Sequence, residues 1–323
     1  MRFIDAAAVE KALAYPQLVD VLEEAFRTGA IAPPRHHHTI KLEGRPDATL
    51  LLMPAWTSSA PGAETAGRYI GIKQVTVFPD NSRLGKPAIY GAYLLLSSET
   101  GEPLALIDAP KLTVWRTAAA SALAARFLAR PDAARMLMVG AGALAPYLVR
   151  AHASVRPIRE VMLWNRTRSK AEALQRELAS SGLVLSVVDD LEEAARAADL
   201  ISTATISSEP LIRGAWLKPG CHLDCVGAYR PDMRETDDEV VRRARIWVDT
   251  FAGGLSEAGD VVMPLKAGII RESDIQGDLF GLARGTAPRR SSADEITMFK
   301  SVGASIEDLA AAVAVYEKVE ASA

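Results

Sequence analysis

Apolar residues recur along this chain with different spacings, and the places where the spacing changes mark its organisation. Over the first thirty or so positions the spacing is helical. Asp5 can cap a first short helix, and "YPQLVDVLEEAFRTG" carries Pro16 at its first turn and stops at Gly29. Between residues 35 and 108 the pattern becomes strand-like, in "RHHHTIKL", "ATLLLMPAW", "YIGIKQVTVF", "AIYGAYLLLS" and "EPLALIDA", with Gly, Pro, Asn and Asp between the runs. No helical crossover separates these runs, which predicts an antiparallel sheet. A long Ala-rich helix, "KLTVWRTAAASALAARFLAR", follows Pro110. From residue 136 the strand-like runs "MLMV", "VMLW", "LVLSVV", "LISTAT", "HLDCVG" and "RIWVD" alternate with helical segments, the signature of a parallel, doubly wound sheet. The chain closes on an amphipathic helix, "SIEDLAAAVAVYEKVEA", and shows no repeat of fixed period.

A length of 323 residues favours two domains over one. With 49% apolar and 24% charged residues there is ample material for a core and no case for disorder. A net charge of -3 offers no electrostatic footprint for nucleic acid. Asp5 and Glu10 interrupt the N-terminal apolar pattern, which argues against a signal peptide, and no run of eighteen uncharged apolar residues occurs. A cytoplasmic protein without membrane contact is expected. The two cysteines, Cys221 and Cys225, fall in a strand-like run where residues four apart stand roughly 13 Å from each other, so core packing is expected in place of a disulfide or metal site.

The first chemistry-bearing motif is "MLMVGAGALAPYLV", an apolar strand followed by Gly140-Ala141-Gly142-Ala143-Leu144-Ala145 and a helix start. In that context the Gly-x-Gly-x-x-Ala turn predicts dinucleotide binding, with the pyrophosphate on the N–H groups of the helix N-terminus. Where the second strand of such a unit usually ends in a carboxylate that accepts from the ribose 2′-hydroxyl of NAD, this chain has Asn165, Arg166 and Thr167. A guanidinium suits a 2′-phosphate, so NADP is favoured over NAD.

Three cations stand out in the first half: Arg35 at the head of a strand, Lys73 inside "YIGIKQVTVF" and Arg116 in the Ala-rich helix. A lysine on a half-buried strand is costly unless it is paired or used. Together the three suggest a pocket for a carboxylate substrate. The "HHH" run at 36 to 38 alternates faces along a strand and has no acidic or thiol residue at ligand spacing, so no metal site is expected. There is no Gly-x-Ser-x-Gly elbow.

The blocks "LLMPAW", "IGIKQVTVFPDN", "SSETGEPLALIDA", "TVWRTAAASALAA", "VGAGALAPYL", "VGAYRPDMRETD" and "ITMFKSVGASIEDLAAA" resemble, in order, those of the ornithine cyclodeaminase and mu-crystallin family. The resemblance implies an α/β chain in which a Rossmann-type doubly wound dinucleotide domain, residues 116–295, is inserted in an α+β substrate-binding and dimerisation domain, residues 1–115 with 296–323. It implies a homodimer whose paired sheets form a closed barrel. It places Arg35, Lys73 and Arg116 where the family binds the substrate carboxylate, with Lys73 also near the reacting carbon. On cofactor positions it places Thr117, the Gly140 turn through Ala145, Asn165 to Thr167, Thr203, Ala204, Thr205, Gly227, Ser301 and Val302. Two positions depart from the ornithine enzymes: Leu51 stands in place of a glutamate and Tyr229 in place of an aspartate. The block around Tyr229 is similar to that of mu-crystallin and related imine reductases.

These features predict an NAD(P)H-dependent reductase of cyclic imino acids such as pyrroline-2-carboxylate or piperideine-2-carboxylate. Arg35 and Arg116 would clamp the carboxylate and Lys73 would polarise or protonate the imine, with Leu51 and Tyr229 enclosing the ring. The rival readings are ornithine cyclodeaminase, a non-catalytic NADPH-dependent ligand-binding protein, and an amino-acid or opine-type dehydrogenase.

Overall fold

The structure, a computed structural model, describes residues 1–57 and 68–322. Its elements run β1 (Arg2–Ile4), α1 (Ala6–Ala12), α2 (Gln17–Thr28), β2 (Ala30–Ile31), β3 (His36–Ile40), β4 (Ala48–Thr57), β5 (Tyr69–Val77), β6 (Ile89–Ser97), β7 (Pro103–Asp108) and α3 (Ala109–Leu128). Then follow β8 (Arg135–Val139), α4 (Ala145–Val155), β9 (Glu160–Trp164), α5 (Arg168–Glu177), β10 (Val184–Val187), α6 (Leu191–Ala197), β11 (Leu200–Thr203) and β12 (His222–Cys225). The last are α7 (Asp238–Arg243), β13 (Arg245–Val248), α8 (Phe251–Ser256), α9 (Gly259–Lys266), β14 (Ile275–Asp278), α10 (Leu279–Arg284), β15 (Thr297–Lys300) and α11 (Ser305–Glu320).

The chain divides into two compact units, residues 1–117 with 304–323, and residues 118–303. In the first, a sheet is ordered β1-β7-β6-β5-β4-β2, with β3 also paired to β4. Its ladders are antiparallel except for β1, which runs parallel to β7. Strand alternation sorts its residues onto two faces. Met53, Ala55, Lys73, Tyr93, Leu95, Ala105 and Ile107 are buried on one face, and helix α11 packs there against β4, β5 and β6. Helix α2 packs on α11 and buries Leu18, Val19, Leu22 and Phe26. Gly29 ends α2 at φ 87°, a left-handed conformation that a side chain would disfavour. The opposite face carries Phe3, Leu106, Leu94, Ile72 and Pro54 as one row across adjacent strands. That row is apolar throughout, yet Phe3 is 79% exposed and the others are only half-buried.

The second unit holds a parallel sheet ordered β10-β9-β8-β11-β12-β15-β13-β14. From β8 the chain winds outward through β9 and β10, then returns to the other side of β8 with β11 and β12, so the strand order reverses between β8 and β11. A crevice at the carboxyl ends of the strands opens at such a switch point. Strands β8, β11, β12 and β15 are buried almost throughout, as a sheet covered on both faces requires. Its core includes polar side chains that satisfy one another: Asp224 accepts from the Ser202 hydroxyl at 2.7 Å and pairs with His152 at 2.9 Å. Cys221 and Cys225 are buried free thiols, and burial pushes the Cys221 thiol up to about 12.

Four strands differ from the sequence expectation. β1 and β2 are too short to show a period. β14 was not anticipated. Residues 297–300, read from the sequence as part of the segment returning to the first domain, instead fill the slot between β12 and β13 with four buried residues. The second unit therefore extends to Gly303 by contact, where the family resemblance implies an end at 295. Among the described residues no helix is long and apolar enough to cross a membrane, and no group of three metal-ligating side chains forms.

Candidate functional site

In the first unit the three singled-out cations lie on or beside the face covered by α11. Lys73 pairs across the sheet with Met53 on β4 and Tyr93 on β6. It is 3% exposed. Its Nζ lies 2.9 Å from Asp308 Oδ1 and 2.7 Å from Oδ2. Arg116, on α3, is also buried, and its Nε donates to the same Asp308 Oδ1 at 2.9 Å while Nη1 donates to Glu307 Oε2 at 2.7 Å. Asp308 thus bridges the two cations. Extending the β3–β4 register by one residue sets Arg35, half-buried, alongside Met53, the neighbour of Lys73.

Burial disfavours the charged ammonium, and Arg116 and Arg35 repel it, while Asp308 holds it; the balance brings Lys73 down from the usual lysine range to about 8. The Tyr93 phenol, buried next to Asp308, is pushed up and stays neutral. A side chain at Gly71 is excluded, because a Cβ there would fall 1.9 Å from the Tyr93 hydroxyl. Leu51 pairs with His37 and Val75 and shares the face of Met53 two residues along the strand.

Glu307 and Asp308 escaped the sequence reading. They stand in the first turn of α11, where acidic residues ordinarily complement the helix dipole. The available signal was their setting: two carboxylates in an otherwise Ala-rich helix whose register buries that turn.

The second unit contains the dinucleotide-type turn. Gly140 ends β8 at φ 104°, and a Cβ there would meet the Ala204 carbonyl oxygen at 2.6 Å, so only glycine fits. A Cβ at Gly142 would meet nothing within 4 Å, which leaves the backbone open to a ligand. Asn165 Oδ1 accepts from the Ala141 N–H at 3.1 Å and ties the turn to the end of β9. Gly140, Ala141, Gly142, Asn165, Arg166, Thr167, Ala204 and Thr205 line one cavity of about 370 Å³. Trp164, Lys170, Ile206, Ser207 and Leu211 complete it, none of them named from the sequence. The open glycine backbone, the α4 N-terminus and the cations on the rim fit a dinucleotide.

The remaining predicted positions are placed differently. Ala143 and Leu144 form the entry to α4, and Ala145 is its buried first residue. Thr203 is fully buried, and its hydroxyl is turned to Glu235 at 2.8 Å. Gly227 packs against Thr205, whose carbonyl oxygen a Cβ would meet at 2.1 Å. Ser301 is buried, and Val302 is held by its N–H donating to Asp249 Oδ2 at 2.7 Å. Tyr229 is 43% exposed in the second unit. Thr117 is buried on α3 in the first.

Residues 2–323 match the Ornithine cyclodeaminase/mu-crystallin family. The delta(1)-pyrroline-2-carboxylate reductase of Colwellia psychrerythraea is 35% identical over 99% of this chain and 99% of its own. The structure of the Thermococcus litoralis delta(1)-pyrroline-2-carboxylate reductase, in complex with NADH and L-proline, superposes with a TM-score of 0.91 at 31% identity, covering 100% of this chain and 98% of that one. An archaeal alanine dehydrogenase dimer with bound NAD superposes with a TM-score of 0.89 at 30% identity, covering 100% and 97%.

The ion cluster makes a stability prediction. Asp308→Asn leaves two buried cations short of a counter-charge and should destabilise the protein by about 3 to 5 kcal/mol in urea unfolding. Combining it with Lys73→Met should cost less than the sum of the single changes, with a coupling of about 0.5 to 3 kcal/mol. Strict additivity would show that the two side chains do not interact.

Proposed function

As the chain belongs to the ornithine cyclodeaminase/mu-crystallin family, we propose that it is an NAD(P)H-dependent reductase of cyclic imino acids of the pyrroline-2-carboxylate and piperideine-2-carboxylate type. The observation that carries this reading is a buried lysine brought to about 8, adjoining a buried arginine through one shared carboxylate. Such a lysine is protonated at neutral pH and gives up its proton readily.

The cofactor, when bound, supplies the hydride that goes to the C=N carbon. Within the first unit, Arg116 and Arg35 bind the substrate carboxylate, and Glu307 and Asp308 fix the plane of the Arg116 guanidinium. Lys73 delivers a proton to the ring nitrogen, so that imine, hydride and proton give the cyclic amino acid. Leu51, in the same unit, covers the apolar ring. Ornithine cyclisation would need a carboxylate for an ammonium group, and neither Leu51 nor Tyr229 offers one. The relatives that are named reductases of pyrroline-2-carboxylate support the substrate class.

NADP is the proposed preference. Arg166 and Lys170 line the cavity, and among the described residues no carboxylate does. The half-exposed apolar row from Phe3 to Pro54 supports a homodimer through that sheet face, because a monomer rarely leaves such a stripe in water. Buried free thiols and the lack of a spanning helix among the described residues fit action in the cytoplasm.

Three tests follow from this reading. Pyrroline-2-carboxylate should oxidise NAD(P)H stoichiometrically, whereas ornithine with catalytic NAD should yield neither proline nor ammonia; robust proline from ornithine, or faster turnover of pyruvate with ammonia, would replace the assignment. For reduction, kcat/KM should be level below about pH 8 and fall above it, since Lys73 loses the proton it donates as the pH passes its depressed value. Lys73→Met should abolish that fall and lower turnover at least ~100-fold, and turnover within about threefold of the unmutated protein would reduce Lys73 to a structural role. Finally, Arg166→Ala should weaken NADPH by roughly ten- to a hundredfold, from a lost phosphate contact of about 1.5 to 3 kcal/mol, and leave NADH unchanged. Equal affinity of the unmutated protein for both nucleotides would remove the NADP preference.

A further inference from the structure

Beneath the dinucleotide cavity, in the same unit, lies a fully buried carboxylate that none of the steps above uses. Glu235 accepts from both loops that leave the sheet beside the glycine turn. Its Oε1 receives the Thr205 N–H and the Thr205 hydroxyl, each at 2.7 Å. Its Oε2 receives the Gly227 N–H and the Thr203 hydroxyl, each at 2.8 Å. One side chain therefore joins the end of β11 to the end of β12. It does so at the switch point, where Ala204 touches Gly140 closely enough to exclude a Cβ.

Glu235 is itself held in place. Asp260 Oδ1 accepts from the Glu235 N–H at 2.9 Å and from the Thr236 N–H and hydroxyl at 2.8 Å. Lys300, also fully buried, lies 3.6 Å from Asp260 Oδ2 and donates to the Cys225 carbonyl at 3.0 Å. The lysine offsets part of the negative charge that two buried carboxylates would otherwise set under an anion-binding loop.

We propose that Glu235 is the positioning residue of the dinucleotide site, setting the Ala204–Thr205 wall of the cavity against the Gly140 turn. The inference rests on the reading of that cavity as a dinucleotide site. The role demands a carboxylate. Each oxygen takes one backbone N–H, and a glutamine would have to turn its NH₂ toward either Thr205 or Gly227, donor against donor. A hydroxyl can rotate away from such a conflict; a backbone N–H cannot. An aspartate is one carbon too short to reach both loops.

Glu235→Gln should therefore raise the NADH dissociation constant, read by nicotinamide fluorescence, at least about tenfold. The KM for imine at saturating NADH should stay within about threefold, because Lys73, Arg116 and Asp308 belong to the other unit. Thr203→Val removes one donor to Glu235 without changing shape and should weaken NADH about three- to tenfold, while Thr203→Ser, which keeps the hydroxyl, should restore it. That pair keeps the test open if Glu235→Gln does not fold. A lowered melting temperature with unchanged NADH affinity in Glu235→Gln, or in Thr203→Val, would overturn the proposal and leave Glu235 as core structure. Failure of the unmutated protein to bind either NADH or NADPH would instead overturn the dinucleotide reading itself.

Discussion

An ammonium group taken out of water must be given its charge partner by the fold, and in this protein that partner comes from the far end of the chain. Lys73 lies on the third strand of a meander completed before residue 110, while Asp308 lies on the last helix, after the whole second unit has intervened. The shared carboxylate oxygen that also receives Arg116 Nε fixes three elements at once: β5, α3 and α11. Apolar packing alone would hold α11 on the sheet, since Ile306, Leu309 and Val315 bury well. It would not fix the helix's rotation and translation to within a hydrogen bond. The ion cluster does, and so the packing of the first unit depends on the returning segment.

That dependence explains which parts could be read from the sequence. Lys73 was visible because a lone charge interrupts a strand alternation that otherwise buries its face, and the glycine turn was visible because its spacing follows an apolar strand and precedes a helix. The antiparallel meander and the parallel alternation were legible as changes of period, and the ordered blocks identified the family. Long-range partners were not legible. Asp308 and Glu307 look like ordinary dipole-complementing residues until α11 is laid on the sheet. Glu235, in "RETD", looks like a loop acid, because nothing in the sequence reveals that it meets backbone donors from two separate strand ends. Lys300 carried a weak signal of the same kind as Lys73, a charge in a four-residue buried strand, but that strand was too short for its period to register.

The buried polar clusters around Glu235 and Asp308 illustrate different uses of the same physics. Both place carboxylates where water cannot reach, and both satisfy them with several donors, as a low-dielectric interior requires. Around Glu235 the donors are chiefly backbone N–H groups and hydroxyls, neutral and fixed, so the result is geometry: two loops held at one spacing. Around Asp308 the donors are ammonium and guanidinium groups, so the result is a proton affinity as well as a geometry. A carboxylate facing neutral donors positions; one facing a buried lysine also tunes.

Charge balance in the second of these clusters bears on the choice of substrate. Lys73, Arg116 and Arg35 contribute three positive charges, and Glu307 and Asp308 two negative ones, all within mutual electrostatic reach or direct contact. A bound carboxylate would find three cations here, two of them buried. A cyclic imino acid in its anionic form would bring one negative charge to them, and its ring would add only apolar surface. Ornithine brings a carboxylate together with two ammonium groups, so its arrival leaves the cluster more positive than before, with no acidic residue at Leu51 to answer the second ammonium. The same surroundings suit the proton donation proposed for Lys73: burial and each neighbouring cation make the neutral amine easier to reach, so its ammonium would give up a proton more readily than one in water.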